Sequence, residues 1–386
     1  MTNILVPADL HIHIGSTISG KPVKITASRQ MTFSSVLHES CVRKGLGMIG
    51  LIDAHVPEVQ QEIAEGLQKG IFQEQSGGGI RYQETTCLLG VELELMVQRG
   101  LAHFLVYLPD LTQMRSFTQW LCLYMKNIHL STQRLYQTPD QLLSKVEELG
   151  GLLIPAHVFT PFRSLFGSAA DHLSDVLPVN RIMGIELGLS SDTAMADQIS
   201  ELQDHTFLTN SDAHSIGKIA REYQILELPE ASFSEFTSVL RQENGRKVVA
   251  NYGFHPKLGK YYGSVCLNCG MPWIKGAVQC KTCKSKRRVK GVSERINEIA
   301  DQMSKSPVHR PPYIHQVPLA MLPGIGPKTL DRLLEKVGTE MYLLHQATEQ
   351  ELTDASNSKV AQTIIRARSG QLTIQEGGGG IYGKAH

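Results

Sequence analysis

Apolar runs and amphipathic stretches alternate over the first 255 residues of the chain. Short apolar runs predict β-strands, and stretches with an apolar residue every three or four positions predict α-helices. One helix is expected to begin after Thr138, which would be its N-cap, with Pro139 at the first helical position. The predicted helices include 33–44, 58–69 and 138–149, and the predicted strands are 4–13, 48–53, 87–95, 102–107, 152–157, 182–187 and 206–209. This alternation favours an α/β fold with a parallel sheet, either open or closed into a barrel.

The alternating pattern stops near residue 256, where the composition changes. Residues 1–255 hold 27 acidic and 19 basic side chains, a net charge of −8, whereas residues 256–310 hold 3 and 12, a net charge of +9. A basic block of this kind either binds a polyanion or forms a solvated surface. The predicted division is an α/β domain (1–255), a basic four-cysteine module (256–305), a proline-rich linker (306–318), a helical domain (319–370) and a flexible tail (371–386).

Three features bear on the compartment. The chain has no run of eighteen apolar residues, so no membrane span is expected. Its first residues lack the basic and apolar regions of a secretory signal. Cys41, Cys87 and Cys122 are scattered singly, which suits reduced thiols, and we expect a cytoplasmic protein.

Histidines and carboxylates follow the predicted strands. In "ADLHIHIG" the side chains of Asp9, His11 and His13 alternate with aliphatic ones, so in a strand they share one face. That pattern alone fits a half-buried strand with a polar outer face. However, polar residues recur at seven strand ends, and burying so many ionisable groups unpaired would cost several kcal/mol each. The strand ends of parallel α/β folds converge on one site, so a multinuclear metal site is predicted. On the later predicted strands and just after them, the candidate residues are Asp53, His55, Glu92, His103, His157, Glu186, Asp212 and His214.

The segments "DLHIH", "GVE", "AHFLVY", "PAH" and "SDAH" together resemble the PHP (polymerase and histidinol phosphatase) superfamily. The resemblance implies a distorted seven-stranded β/α barrel with a trinuclear metal site at the carboxyl ends of its strands. By position it makes ligands of His11, His13, Glu92, His103, His157, Asp212 and His214. Many members read "TDH" where this chain reads "IDAH", so either Asp53 or His55 is the ligand there. Glu186 has no ligand counterpart and is assigned to the surroundings of the ligands or to a substrate pocket.

The expected chemistry is phosphoester hydrolysis. Two metals about 4 Å apart hold a phosphate between them and lower the pKa of a bound water. Asp212, Glu92 and His11 are the predicted catalytic residues, with Asp212 binding a metal and orienting that water. Zn²⁺ is the expected ion, and Mg²⁺ or Mn²⁺ is the alternative at the catalytic site.

A second metal site is predicted from cysteine spacing. Cys266, Cys269, Cys280 and Cys283 follow the pattern C-x2-C-x10-C-x2-C, in which two tight turns aim four thiolates at one structural Zn²⁺. A redox pair or an iron–sulfur site is favoured less, because all four thiols are used. The basic residues that follow are expected to face DNA phosphates, the alternative being a solvated loop. These residues are Lys284, Lys286, Arg287, Arg288 and Lys290.

The segment "LAMLPGIGPKTLDRLLEKVG", residues 319–338, has the form of a helix-hairpin-helix. Gly324 and Gly326 allow close backbone approach, and the N–H groups at the start of the following helix, with Lys328, are expected to hold a DNA phosphate. The alternative is an ordinary helix pair joined by a glycine turn. A second hairpin of the same kind is predicted at "SNSK", but it lacks both glycines. It is therefore expected to be structural or to make a weaker phosphate contact.

The order of PHP domain, four-cysteine module and hairpin resembles the endonuclease Q family over nearly the whole chain. The resemblance implies DNA repair: cleavage 5′ to a deaminated base (uracil, hypoxanthine or xanthine) or an abasic site, leaving 3′-hydroxyl and 5′-phosphate ends. The expected partner is DNA that carries such lesions, and Ser190 and Ser191 are candidates for contacts with the extruded base. Two alternatives are a PHP phosphatase acting on small monoesters, and a DNA-binding PHP protein without activity.

Overall fold

The computed structural model describes residues 2–303 and 306–368, and two short strands, Ile374–Gln375 and Lys384–Ala385. The flexible tail predicted for 371–386 therefore lies outside the described residues, apart from these two strands. Among the described helices, none is long and apolar enough to cross a membrane.

The strands between residues 4 and 315 are β1 Ile4–Ile12, β2 Met48–Leu51, β3 Gln73–Glu74, β4 Ile80–Tyr82, β5 Thr85–Met96, β6 Leu101–Leu108, β7 Leu152–Pro155, β8 Gly184–Glu186, β9 Thr206–Leu208, β10 Tyr223–Leu228, β11 Lys247–Gly253, β12 Val265–Cys266, β13 Arg288–Val289 and β14 Tyr313–His315. Ten of them form one mixed sheet, in the order β14-β11-β10-β1-β2-β5-β4-β3, with β6 paired to β5 and β7 to β6. The pairs β8–β9 and β12–β13 stand apart from it, as does the pair formed by Ile374–Gln375 and Lys384–Ala385.

Helices and single turns connect the strands. As expected, Thr138 caps a helix that begins at Pro139: its side chain accepts from Gln141 N, and the Gln141 side chain accepts from Thr138 N. The helices are α1 Phe33–His38, which continues as a π-helical segment Glu39–Lys44, α2 Pro57–Gln68, α3 Leu111–Leu121, α4 Pro139–Glu148, α5 Thr193–Ala196, α6 Phe233–Leu240, α7 Val292–Ile299, α8 Pro327–Lys336, α9 Glu340–His345, α10 Glu349–Ala355 and α11 Ser358–Arg368.

The fold is α/β, but the closed seven-stranded barrel is not observed, because the large sheet stays open between β14 and β3. The sheet is also not purely parallel. β1, β2 and β5 run parallel, whereas β6 is antiparallel to both β5 and β7. The reason is the connection between β5 and β6, which is too short for a crossover helix and closes a hairpin instead. This hairpin brings the start of β6 to the carboxyl end of β5.

Both faces of the carboxyl half of β1 are buried. Leu10 and Ile12 have no exposed surface, and neither do His11 and His13 on the other face, so the polar outer face is not observed. Because an unpaired buried imidazole is costly, this burial itself requires partners for the two histidines.

The C-terminal helices α8 to α11 pack against the rest of the molecule. Lys44 Nζ lies 2.7 Å from Glu340 Oε1, and both side chains are buried. Strand β14 pairs with β11 and joins the large sheet, so the segment predicted as a linker (306–318) contributes a strand. Residues 306–368 are therefore part of one continuous packed structure.

The hairpin segment is helical on one side only. A 3₁₀ turn, Leu319–Met321, stands in place of the first predicted helix, and α8 follows the "PGIG" turn. Gly324 has a φ of 85°, a left-handed conformation that glycine adopts at little cost. In the second hairpin, Asn357 Oδ1 accepts from Val360 N at 3.0 Å and so caps α11, which fits its expected structural role.

Candidate active site

Glu92, on β5, is the centre of a buried group of histidines. Its Oε1 lies 2.9 Å from His103 Nδ1, 3.2 Å from His157 Nε2 and 3.6 Å from His11 Nε2. Its Oε2 lies 3.4 Å from His13 Nε2. Glu92 belongs to two groups of donor atoms, one with His11 and His13 and one with His103 and His157. A carboxylate shared in this way is placed to bridge two metal ions.

Asp212 completes the arrangement beside His11, His13 and His214. Its Oδ1 lies 3.4 Å from His11 Nε2, 3.6 Å from His13 Nε2 and 3.4 Å from His214 Nδ1. A third donor group joins Asp212, His13 and His214. The residues that the PHP resemblance makes ligands thus come together in the structure.

The donor atoms fit metal ions. The Nε2 atoms of His11 and His13 are buried and have no hydrogen-bond partner among the described residues. Two ligands bound to one tetrahedral ion at about 2.1 Å lie about 3.4 Å apart. The distances from these nitrogens to Glu92 and Asp212 lie at or close to that value. Buried nitrogens without partners, facing carboxylates at this spacing, are what a metal centre requires.

Irregular backbone positions two of the donors. His157 follows β7 and Asp212 follows β9, and their φ angles are 30° and 46°. A left-handed conformation is strained for residues other than glycine and persists only where the surroundings impose it. Asp9 supplies part of that constraint, because its carboxylate accepts from Ser211 N at 3.1 Å and from Ala220 N at 2.8 Å. Asp9 therefore holds the loop that carries Asp212.

Glu186 orients His11. Its Oε1 lies 2.9 Å from His11 Nδ1 and accepts from Asn210 Nδ2 at 2.8 Å, and its Oε2 accepts from His157 N at 2.8 Å. Carboxylates that fix the second ring nitrogen in this way set the tautomer of a metal-binding histidine. Glu186 lies outside the three donor groups at this centre. It therefore acts by supporting His11 and the backbone of His157 rather than as a donor.

Asp53 and His55 differ in position. Asp53 Oδ2 lies 3.1 Å from His13 Nδ1 and accepts from Ile14 N at 2.7 Å. His55 Nε2 lies 3.3 Å from the Leu130 carbonyl oxygen. Neither side chain is in a donor group with the other histidines. Asp53 acts on the centre through His13, and His55 is turned toward the backbone of another loop.

Charges within the centre strongly shift the pKa values of His11 and Asp212. Burial opposes protonation of His11, but Glu186, Asp212 and Glu92 outweigh it and raise its pKa to about 10. Burial likewise favours the neutral carboxyl of Asp212, but His11, His214 and His13 hold its pKa well below the usual range. The carboxylates are therefore ionised at neutral pH and attract positive charge into the centre.

An open cleft of about 620 Å³ lies over these residues. Five basic side chains line it, and the sequence motifs gave no sign of them because they come from four separate connections, with Lys218 and Arg221 in the same one. Lys24 Nζ is 3.0 Å from Glu92 Oε2, and Arg163 Nε is 3.2 Å from Glu94 Oε2. The five are Lys24, Arg163, Lys218, Arg221 and Lys260. An acidic donor cluster with a basic rim suits a substrate whose phosphate reaches the metals and whose other phosphates meet the rim.

The four cysteines converge as predicted. Cys266 Sγ lies 3.5 Å from Cys283 Sγ, and Cys269 Sγ lies 3.6 Å from Cys280 Sγ. In a tetrahedral site with zinc–sulfur bonds of about 2.3 Å, two sulfurs lie about 3.8 Å apart. The four thiols form one donor group that fits a single ion, and no open ligand position remains.

The basic residues after the cysteines fall into two sets. Lys284, Lys286 and Arg287 are exposed. Arg288 Nη1 lies 2.9 Å from Glu294 Oε1, and Lys290 Nζ lies 2.5 Å from Glu298 Oε2, so helix α7 neutralises these two. In the hairpin, Gly324, Gly326 and Lys328 are exposed at the start of α8.

Ser190 and Ser191 are not brought to the cleft. Both are buried, and their hydroxyl groups are used within the protein. Ser190 Oγ accepts from Tyr261 N at 3.2 Å, and Ser191 Oγ donates to Leu187 O at 2.9 Å. Their role in the structure is to hold the loop after β8, and the expected contact with a base has no support from this geometry.

Comparison with known proteins agrees with the geometry. No family model matches the chain. The uncharacterised protein YqxK of Bacillus subtilis is 49% identical over 380 residues, which cover 98% of each chain. The lesion-specific endonuclease PfuEndoQ of Pyrococcus furiosus superposes with a TM-score of 0.85 at 30% identity, covering 99% of this chain and 95% of that one. A structure of endonuclease Q with a 27-mer duplex substrate, which has an abasic lesion at the active site, gives the same TM-score and identity and covers 99% of this chain and 96% of that one.

Proposed function

The chain belongs to the endonuclease Q family, and we therefore propose that it is a metal-dependent endonuclease that cleaves DNA on the 5′ side of a deaminated base or an abasic site. The products are a 3′-hydroxyl and a 5′-phosphate end. The deaminated bases are uracil, hypoxanthine and xanthine, and the setting is DNA repair.

One observation carries the proposal: three donor groups share residues at the floor of a cleft with a basic rim. A small monoester needs only the floor. Lys24 and Arg163 already pair with Glu92 and Glu94, but Lys218, Arg221 and Lys260 line the same cleft and extend the positive surface to the phosphates on either side of a scissile bond, which only a polynucleotide possesses. The rim therefore favours an endonuclease over a phosphatase.

The residues of the centre have distinct roles. When bound, metal ions (Zn²⁺, or alternatively Mg²⁺ or Mn²⁺) would polarise the phosphate and acidify a water. His11, His13 and Glu92 would hold one ion, Glu92 with His103 and His157 a second, and Asp212 with His13 and His214 a third. Asp212 lines the cleft and would orient the attacking water.

The remaining modules supply DNA affinity. We assign residues 1–255 to catalysis, 256–305 to a structural Zn²⁺ module and 319–370 to a helix-hairpin-helix domain joined by 306–318. Lys284, Lys286 and Arg287 are exposed and contact phosphates first, whereas Arg288 and Lys290 do so less because α7 already pairs with them. Gly324, Gly326 and Lys328 form a further phosphate contact at the start of α8.

The test is cleavage of end-labelled DNA that contains a single uracil, of matched undamaged DNA and of a small phosphate monoester. The proposal expects a single cut 5′ to uracil, with ends that a DNA ligase or polymerase identifies as 3′-hydroxyl and 5′-phosphate. Hydrolysis of the monoester alone would assign the phosphatase activity, and binding of DNA without any cut would assign a binding protein.

A further inference from the structure

Phe162 is an exposed aromatic side chain at the rim of the cleft. About 52% of its surface is exposed, although it lines the same cleft as Glu92, His157 and Asp212. Its ring makes an edge contact with Tyr261, with 6.2 Å between the centroids. A phenyl ring held beside a catalytic centre without being buried has apolar surface available for a ligand.

The backbone fixes the ring relative to the metal-binding residues. Thr160 Oγ1 lies within hydrogen-bonding distance of the carbonyl oxygens of His157, at 3.0 Å, and Phe162, at 3.2 Å, and its one hydrogen serves either of them. The next residue, Arg163, has a left-handed φ of 53°. Its carbonyl oxygen accepts from His103 N at 3.0 Å. The segment that presents Phe162 is thus tied at one end to His157 and at the other to His103.

Basic groups lie near the ring. Arg163 follows Phe162 in the chain and pairs with Glu94 on β5, and Lys260 Nζ lies 4.7 Å from the centre of the Tyr261 ring, which itself contacts Phe162. An apolar ring with cationic side chains nearby suits a site that meets stacked bases and their phosphates.

We propose that Phe162 is a wedge that enters the base stack of duplex DNA beside the lesion while the damaged nucleotide turns into the cleft. This inference rests on the proposed function. An enzyme that acts at a base within a duplex must unstack it, and proteins that distort duplexes insert apolar side chains between base steps. The ring is half exposed, as a side chain that enters a base stack from the protein surface must be.

The experiment compares Phe162→Ala with Phe162→Trp, which keeps an aromatic surface, and with Ile71→Ala. Ile71 is 54% exposed and is not among the residues that line the cleft, so its truncation controls for loss of exposed apolar surface. Each variant is assayed on duplexes with uracil or an abasic site, and on a duplex whose uracil lies in a bubble of unpaired bases. Thermal unfolding confirms that all variants are folded.

If Phe162 is a wedge, Phe162→Ala slows cleavage of both paired duplexes by about tenfold or more. Loss of a base–aromatic contact has an effect of this size in other nucleic-acid-binding proteins. Cleavage in the bubble stays near the wild-type rate, and Phe162→Trp and Ile71→Ala remain active on every substrate. An Asp212→Ala background adds a readout free of cleavage. There, Phe162→Ala removes the fluorescence increase of 2-aminopurine placed next to the lesion.

Three outcomes would overturn the wedge. Equal loss on paired and bubble substrates assigns Phe162 a role in binding or folding only. Loss on uracil with unchanged cleavage at the abasic site means that the ring stacks on the extruded base. Unchanged cleavage of all substrates by Phe162→Ala shows that Phe162 has no role in cleavage. In each case the wild-type protein still cuts damaged DNA, so failure of the wedge is distinct from failure of the proposed function, in which the wild type cuts none of them.

Discussion

His13 Nδ1 lies 3.1 Å from Asp53 Oδ2, and this contact turns His13 Nε2 toward Glu92 and Asp212. Asp53 is itself fixed, because the same oxygen accepts from Ile14 N. The geometry gives Asp53 a part in metal binding without making it a ligand, since it sets which nitrogen of His13 faces the centre.

Asp53→Ala is expected to lower the affinity for one metal ion about 10–100-fold, the usual effect of losing a carboxylate that orients a metal-binding histidine. Equilibrium dialysis followed by mass spectrometry measures the bound metal. His55→Gln is the matched control, because His55 faces the Leu130 carbonyl oxygen and its replacement should leave the metal content unchanged. Loss of an ion from His55→Gln, with none from Asp53→Ala, would make His55 the ligand.

Asp212→Ala is expected to abolish cleavage and leave DNA binding largely intact. The variant removes a carboxylate that faces three histidines at the floor of the cleft, and loss of a ligand at a hydrolytic metal removes the activated water. Cleavage and fluorescence anisotropy on one uracil-containing duplex measure the two properties. A near-normal cutting rate would mean that the centre has been assigned to the wrong residues.

The sequence predicted which histidines and carboxylates come together better than it predicted the sheet that holds them. Motif order was sufficient to bring Glu92, His157 and Asp212 together, because each directly follows or ends an apolar run. His103 was expected at an end of the strand 102–107 in a parallel sheet, and it lies near the start of that strand, but the strand, β6, is antiparallel to its neighbours. The short segment between the two apolar runs was the available sign, since a parallel crossover needs a dozen or more residues.

The basic rim could not be predicted in the same way. Lys24, Arg163 and Lys218 lie in loops far apart in sequence, and only the tertiary fold brings them to one cleft. The expectation for Ser190 and Ser191 came from position alone and missed their hydrogen bonds to the backbone. Periodicity indicates which face of an element is buried, but it does not specify which loops meet above a site.

Replacing Cys266 and Cys269 with serine should release one Zn²⁺ per chain and weaken DNA affinity. The four sulfurs form one donor group, so removal of two destroys the site. The metals of the large domain should remain, because none of their ligands is a cysteine. Metal content by mass spectrometry decides the assignment, and an unchanged zinc content would contradict it. Cys122→Ser, at an exposed single cysteine, is the control.

Glu222 should make stability depend on pH. Its side chain is buried, Oε1 accepts from Phe254 N at 2.9 Å, and Oε2 has no hydrogen-bond partner among the described residues. Burial raises its pKa from 4.5 to about 8. The folded state therefore binds the proton more tightly than the unfolded state. The stabilisation is full below pH 4.5 and is lost as the pH rises to about 8.

Glu222→Gln, which keeps a neutral side chain at every pH, is expected to gain stability over the wild type as the pH rises through this range. The gain approaches about 1.4 kcal/mol per pH unit where the unfolded state is ionised and the folded state is not. Chemical unfolding at pH 5, 6, 7 and 8 measures it, with Glu84→Gln, at a carboxylate whose side chain is 92% exposed, as the control. A difference between Glu222→Gln and wild type that does not change with pH would show that Glu222 does not hold its proton in the folded state.

The exposed basic residues of the cysteine module should set the salt dependence of DNA binding. Residues 1–255 carry a net charge of −8, so they are a poor electrostatic partner for DNA, and the +9 of residues 256–310 must supply the attraction. Deleting everything after residue 305 is unsuited to this test, because β14 belongs to the large sheet and Glu340 pairs with the buried Lys44. Point substitutions at Lys286 and Arg287 avoid this damage, since both side chains are exposed.

The double variant Lys286→Ala with Arg287→Ala is expected to bind uracil-containing and undamaged duplexes more weakly by similar factors. Each lost phosphate contact lowers the slope of log K against log salt by about 0.9, so the slope should fall by about 1.8. Because the donor groups and the cleft are untouched, the preference for the lesion at saturating enzyme should survive. Titrations at several salt concentrations measure both quantities, and Lys69→Ala, at an exposed lysine after α2, should leave the slope unchanged. A double variant that keeps its affinity but loses its preference for uracil would mean that the cysteine module, rather than the cleft, distinguishes damaged from undamaged DNA.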